Sequence, residues 1–149
     1  MSVLGINLEK SGFRYTILDG TKSKPIFMEK KKIDINSTSE ISELMDWYET
    51  IFQNLITKYK PVKVGIKLSL DAKKDSISYW YYPYGVLHNI CFKKQISVCE
   101  FVSANFTPSK FGLDKTIDIF EHIDIVFGIH KPYWDKSQKQ SLLAAWMVL

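Results

Sequence analysis

A long amphipathic helix set between two strands is the feature that most constrains this fold. From Thr38 to Tyr59, the residues Ile41, Leu44, Met45, Tyr48, Ile51, Phe52, Leu55, Ile56 and Tyr59 recur at three- and four-residue steps, which makes one continuous apolar face. Ser37-Thr38-Ser39-Glu40 fits a capping box ahead of it, and Pro61 marks the exit. Beyond the proline, Val62 to Leu68 reads as a strand. A strand, a long helix and a further strand form a crossover, so the new strand lies parallel to an earlier one and the sheet is mixed.

Three strands precede that helix. Val3-Leu4-Gly5-Ile6-Asn7 opens the first, which runs to Leu8 and becomes polar at its end. Phe13 to Leu18 is the second, rich in aromatic and β-branched residues, with Asp19-Gly20 as its expected stop. The connection between them is short enough for a hairpin. The third, from Ile26 to about Ile35, carries Glu29-Lys30-Lys31-Lys32 in its middle, too polar for two buried faces. That suits an edge strand, where lysines discourage edge-to-edge pairing, and this reading is preferred to a phosphate contact.

After the crossover comes a polar loop from Asp71 to Ser76, then the aromatic run Ile77-Ser78-Tyr79-Trp80-Tyr81-Tyr82-Pro83-Tyr84. Pro83 fits the first turn of a helix reaching about Lys94, with Val86, Leu87, Ile90 and Cys91 inward, so the preceding aromatics are expected to form either an entry segment or an earlier helical turn broken at the proline. A fifth strand is expected at Ser97 to Val102, and helical structure around Thr116 to Phe120 ends near Gly128. Asp135 caps a terminal helix whose inward face is Leu142, Leu143, Trp146 and Leu149, with Gln138 in the capping-box position. No repeat or linker divides the chain, so residues 1–149 are expected to form a single domain.

Composition excludes more than it selects. Hydrophobic residues at 46% and charged ones at 24% are those of an ordinary globular chain, which argues against disorder. Of 20 basic residues only Arg14 is an arginine, and lysine cannot reproduce the planar fork that reads bases and phosphates in a bidentate way. Net charge is therefore a weak pointer to nucleic acid. No leader-like segment or run of about 18 apolar residues occurs, and a cytoplasmic protein without membrane contact is expected. Cys91 and Cys99 read as buried thiols; His88, His122 and His130 lack metal-ligand spacing, and Gly5, Gly12 and Gly20 form no phosphate loop.

The order of three strands, helix, strand, helix, strand and C-terminal helix resembles the ribonuclease H-like fold. Leu4-Gly5-Ile6-Asn7, Pro61 to Lys67, Thr107-Pro108-Ser109-Lys110 and Ser141-Leu142-Leu143-Ala144-Ala145 look most like its RuvC-like, Holliday-junction resolvase branch, and like small bacterial families of unknown function sharing that fold. The resemblance implies an α/β architecture: a mixed five-stranded sheet with helices on both faces. It also implies a site where carboxylates on the first strand, the fourth strand and the last helix hold two magnesium ions about 4 Å apart. The matching positions here are Asn7, Lys67, Gln138 and Ser141, none of them an anion. The site is thus expected to be degenerate, with no metal and no cofactor. Lys67 is expected either to bond to Asn7, Gln138 or Ser141 in a closed polar cluster, or to be a solvated strand end.

Three functions compete on this reading. The first is a non-catalytic domain that binds an unidentified protein partner or a second copy of itself. The second binds nucleic acid without cleavage through Lys63, Lys73, Lys74, Lys93, Lys94 and Lys110, with Tyr79, Trp80 and Tyr81 as a stacking platform. An aromatic run entering a helix is more often core or interface than a base platform. The third is a nuclease with relocated ligands at Asp71, Asp75 and Asp135, although loop carboxylates are ordinarily solvated or capping.

Overall fold

The computed structural model describes residues 1–35 and 40–149. The capping box expected at Ser37 to Glu40 falls largely outside the described residues. The elements are β1 (Val3–Glu9), β2 (Gly12–Thr21), β3 (Lys24–Asp34), α1 (Ile41–Tyr59), β4 (Lys63–Lys67), α2 (Ile77–Trp80), α3 (Tyr82–Lys93), β5 (Ser97–Phe101), α4 (Ile119–Phe127) and α5 (Lys136–Val148). They form an α/β fold around one five-stranded sheet in the order β3-β2-β1-β4-β5. β2 pairs antiparallel with β1 and β3, whereas β4 runs parallel to both β1 and β5, as the crossover requires.

Strand alternation sorts the core into two layers. Leu4, Ile6, Phe13, Tyr15, Ile17, Val64 and Ile66 face α1 and α3, where Tyr48, Phe52 and Leu87 are fully buried. The opposite face, with Val3 and Leu18, is covered by α5 and α4. α5 is buried almost all round, with Leu142, Leu143, Ala144, Ala145 and Trp146 inward, so its inner face is broader than the leucines and tryptophan alone define.

Gly5 and Gly65 set how closely α5 lies on the sheet. A Cβ at Gly5 would fall 2.0 Å from the Ser141 carbonyl oxygen, and one at Gly65 would fall 2.1 Å from that of Ala144. Helix backbone therefore sits directly on strand backbone, which explains the small residues at 144 and 145.

One expectation about the strands changes, and of the two forms open to the aromatic run the earlier helical turn is the one adopted. β2 does not stop at Asp19-Gly20 but continues to Thr21, with Thr21 opposite Lys24. Gly20 serves inside the strand: its φ is 87°, and the Lys24 carbonyl oxygen comes within 2.3 Å of where a Cβ would stand. The aromatic run splits into α2 and α3, with Pro83 in the first turn of α3. Cys91 and Cys99 lie on opposite faces of the sheet, and both are free thiols; burial pushes the Cys91 thiol up to about 11. No helix among the described residues is long and apolar enough to cross a membrane.

Candidate functional site at the carboxyl ends of the central strands

Register places one row of side chains under the start of α5. Lys32 faces Arg14, Arg14 faces Asn7, Asn7 faces Lys67, and Lys67 faces Phe101. Alternation puts all five on the α5 side of the sheet. Asn7 and Lys67 are therefore direct neighbours at the carboxyl ends of two parallel strands, the region where open α/β sheets place ligands.

On the β2 side of Asn7 the polar groups are closed among themselves. Arg14 donates from Nε to Glu9 at 2.8 Å and from Nη2 to Asp135 at 2.8 Å. Ser137 Oγ donates to the same Glu9 carboxylate. The Asn7 amide nitrogen donates to Ser137 Oγ at 2.9 Å and approaches Gln140 Oε1 at 3.3 Å. Asp135 also accepts from the Gln138 amide at 2.8 Å, as an N-cap should. Asn7 Oδ1 is buried without a hydrogen-bond donor among the described residues.

The helix positions matched from sequence do not meet Asn7. Gln138 Nε2 donates to the Tyr15 carbonyl at 2.8 Å and to Thr16 Oγ1 at 3.1 Å, and Ser141 Oγ lies 2.7 Å from Thr16 Oγ1. Both side chains thus face β2, and Gln138 makes no return bond to its cap. Ser137 and Gln140, one residue earlier along α5, are the ones that meet Asn7. Glu9 and Arg14, two residues beyond Asn7 on β1 and opposite it on β2, complete the network that sequence reasoning missed. Their signal was the period of two along β1, which carries Asn7 and Glu9 to the same face.

On the β4 side, Lys67 does not join that cluster. Its ammonium donates to Ser69 Oγ at 3.2 Å and makes no ion pair among the described residues. At 9% exposure it is not a solvated strand end either. Burial, reinforced by the Lys136 ammonium and only partly offset by Asp71, holds its pKa below the usual lysine range. Tyr84 fixes the backbone here, donating to the Lys67 carbonyl at 2.6 Å and accepting from the Leu8 amide at 3.1 Å. Lys67, Leu68, Ser69, Leu70, Asp71, Trp80, Val102 and Ser103 line a cavity of about 270 Å³ between the loops that follow β4 and β5.

The remaining sequence candidates are dispersed. Lys73 and Lys74 lie in the segment that follows the carboxyl end of β4, whereas Lys63 begins β4, and Lys93 and Lys94 end α3 ahead of β5. Lys110 precedes Phe111, whose ring packs 4.6 Å from that of Trp146 near the far end of α5. The lysines therefore do not share one surface. Nor do the aromatics form an open platform: Tyr79 packs against the core, Trp80 lines the cavity, and Tyr81 donates to the Ser69 carbonyl. Lys30, on the edge strand as expected, turns inward to the His130 carbonyl at 2.9 Å and over the Trp134 ring.

The donor set does not fit the two magnesium ions of the resemblance. Glu9 and Asp135 are bound to Arg14, Asp75 lies 3.9 Å from Lys10, and the residue paired with Asn7 on the neighbouring parallel strand is a cation, Lys67. Among the described residues no group of three or more His, Cys, Asp or Glu side chains could hold a metal ion, so Asp71, Asp75 and Asp135 do not converge there.

No protein-family model and no curated protein matches the chain. Solved structures do match it. RuvC of T. thermophilus in complex with a Holliday junction substrate has a TM-score of 0.78 at 11% identity, covering 99% of this chain and 91% of that one. The yeast mitochondrial Holliday junction resolvase Ydc2 gives 0.72 at 15% identity, over 97% of this chain and 77% of that one. The fowlpox virus Holliday junction resolvase gives 0.58 at 12% identity, over 97% and 94%. Such identities speak to architecture alone. The chain has the ribonuclease H-like fold in the arrangement of the RuvC-type Holliday junction resolvases.

Proposed function

We propose that this is a non-catalytic ribonuclease H-like domain that works by binding, and that the sugar–phosphate backbone of nucleic acid is what its carboxyl edge binds. The observation that carries the reading is the register pair at the centre of the row: where the fold's nucleases need anions around a metal, this chain sets Lys67 beside Asn7, and Lys67 makes no ion pair among the described residues, whereas Arg14 and Lys32 farther along the row are met by Glu9 and Asp135 and by Asp34. Cations at that place suit phosphate and oppose a divalent metal. Structural likeness to a resolvase seen with its junction substrate supports nucleic acid as the ligand class.

The test pairs two assays. Labelled four-way junction, duplex and single strand are titrated at low and moderate salt, then incubated with magnesium or manganese. Expected is binding that weakens steeply with salt, since neutralised phosphates release counterions, and no cleavage. Metal-dependent cleavage would overturn the non-catalytic reading. Absence of binding even at low salt would shift the function to a protein partner, for which the exposed Ile125, Ile129 and Tyr133 supply apolar surface.

A further inference from the structure

We propose that the cavity at the carboxyl ends of β4 and β5 is a subsite for one phosphate ester, with its charge held by Lys67. The subsite deepens the nucleic-acid reading and rests on it only for the ester's source, a strand or a free nucleotide.

Four observations converge on that cavity. Its wall contains an ammonium that is nearly buried and makes no ion pair among the described residues. A desolvated cation without a counter-ion is costly, and an anion brought by a ligand removes that cost. Lys136 adds a second positive charge to the Lys67 environment, whereas Asp71, the one carboxylate in the lining, is exposed. The Trp80 indole N–H is buried with no acceptor among the described residues, and the Trp80 side chain belongs to the same wall. Buried donors are nearly always paired, so an orphan donor and an ammonium without an ion pair in residues that line one cavity mark a place where an oxygen anion is accommodated.

Size and lining narrow the ligand. About 270 Å³ lies just below the usual range of small-molecule sites, roughly 300–1,000 Å³, which suits one phosphate and part of its ester better than a large cofactor. Ser69 and Ser103 offer hydroxyls to the phosphate oxygens, and Leu68, Leu70, Trp80 and Val102 offer an apolar side to what the phosphate carries. Tyr81 and Tyr84 fix the Ser69 and Lys67 carbonyls, so the polar groups are set before a ligand arrives.

The deciding experiment follows the Trp80 indole N–H by NMR while inorganic phosphate, a nucleoside monophosphate and a short single-stranded oligonucleotide are added in turn. The signal is identified by its loss in Trp80→Phe. Expected is a saturable shift with each ligand, abolished in Lys67→Met, restored in part by Lys67→Arg, and untouched in Lys110→Met at the other end of the sheet. An indole signal that phosphate leaves unmoved, or a shift of equal size in Lys67→Met, would overturn the subsite. An oligonucleotide that binds wild type and Lys67→Met with equal affinity overturns the subsite while leaving the nucleic-acid reading standing. Phosphate and mononucleotide binding without oligonucleotide binding supports the subsite and defeats that reading.

Discussion

On the β2 side of Asn7 one guanidinium meets two carboxylates; on the β4 side one ammonium meets a single hydroxyl. Both halves stand on the same register row beneath the same helix, so topology does not distinguish them. The difference lies in what each half asks of the outside. Arg14 is 16% exposed and its charge is answered within the protein, which is a structural use. Lys67 is left to be answered by something else. One register row can thus carry a half whose charges are closed within the protein and a half whose charge is not, and the arrangement of counter-charges tells which is which.

The largest effect should come from the roof the halves share. Gly65→Ala drives a methyl into the Ala144 carbonyl, and Gly5→Ala does the same at Ser141. Backbone cannot yield as a flexible side chain can, so each is expected to cost about 3 kcal/mol or more by urea denaturation, lifting α5 from both halves at once. A cost below about 1 kcal/mol would mean that α5 is not held as closely as its contacts indicate.

Arg14→Met separates the halves next. It strands Glu9 and Asp135, two carboxylates that Arg14 holds at 2.8 Å, and a loss of about 2 kcal/mol is expected from charge-assisted bonds in a partly exposed setting. The cavity half should not respond: phosphate binding read at Trp80 is expected to stay as in wild type. Loss of that binding together with stability would show that the two halves are one unit.

Tyr84→Phe acts on the backbone between them. Without the phenol, the Lys67 carbonyl and the Leu8 amide lose a buried partner, for an expected cost of about 1–2 kcal/mol. Complete burial raises the Tyr84 pKa above the ordinary tyrosine value. The folded state therefore binds the proton more tightly than the unfolded state, and this stability is present below about pH 10 and lost as pH rises further. Wild type is expected to lose more stability than Tyr84→Phe on alkaline titration; equal losses would remove Tyr84 from the account.

Legibility in the sequence followed the scale of the signal. The crossover, the edge strand and the terminal helix rest on periodicities many residues long, and each stands where expected. What failed was one residue in size. Along α5, Gln138 and Ser141 are spaced three apart, but so are Ser137 and Gln140, and no pattern in a helix buried nearly all round says which pair meets Asn7. Glu9 was readable from strand alternation but hidden by ending the first strand at Leu8. Lys67 was placed correctly at the strand end, yet its partner was not readable, because Ser69 reaches it only through the turn that Tyr81 holds.

The smallest expected effect has the opposite sign. Lys67→Met removes a buried charge that makes no ion pair among the described residues, so the variant should be as stable as wild type or better by about 1 kcal/mol near neutral pH. Because the folded-state pKa of Lys67 is depressed, the unfolded chain holds its proton more tightly, and wild-type stability rises with pH between the folded value and the ordinary lysine value near 10.4. The advantage of Lys67→Met should therefore shrink as pH approaches that limit, and taking the difference between the two proteins cancels the tyrosine losses common to both. Saturating phosphate should erase the advantage at neutral pH, since it binds the folded wild type and not the variant. Urea titrations at neutral and alkaline pH, with and without phosphate, measure all three differences. A Lys67→Met variant clearly less stable than wild type at neutral pH would mean that Lys67 is already compensated inside the protein, and the contrast between the halves would collapse.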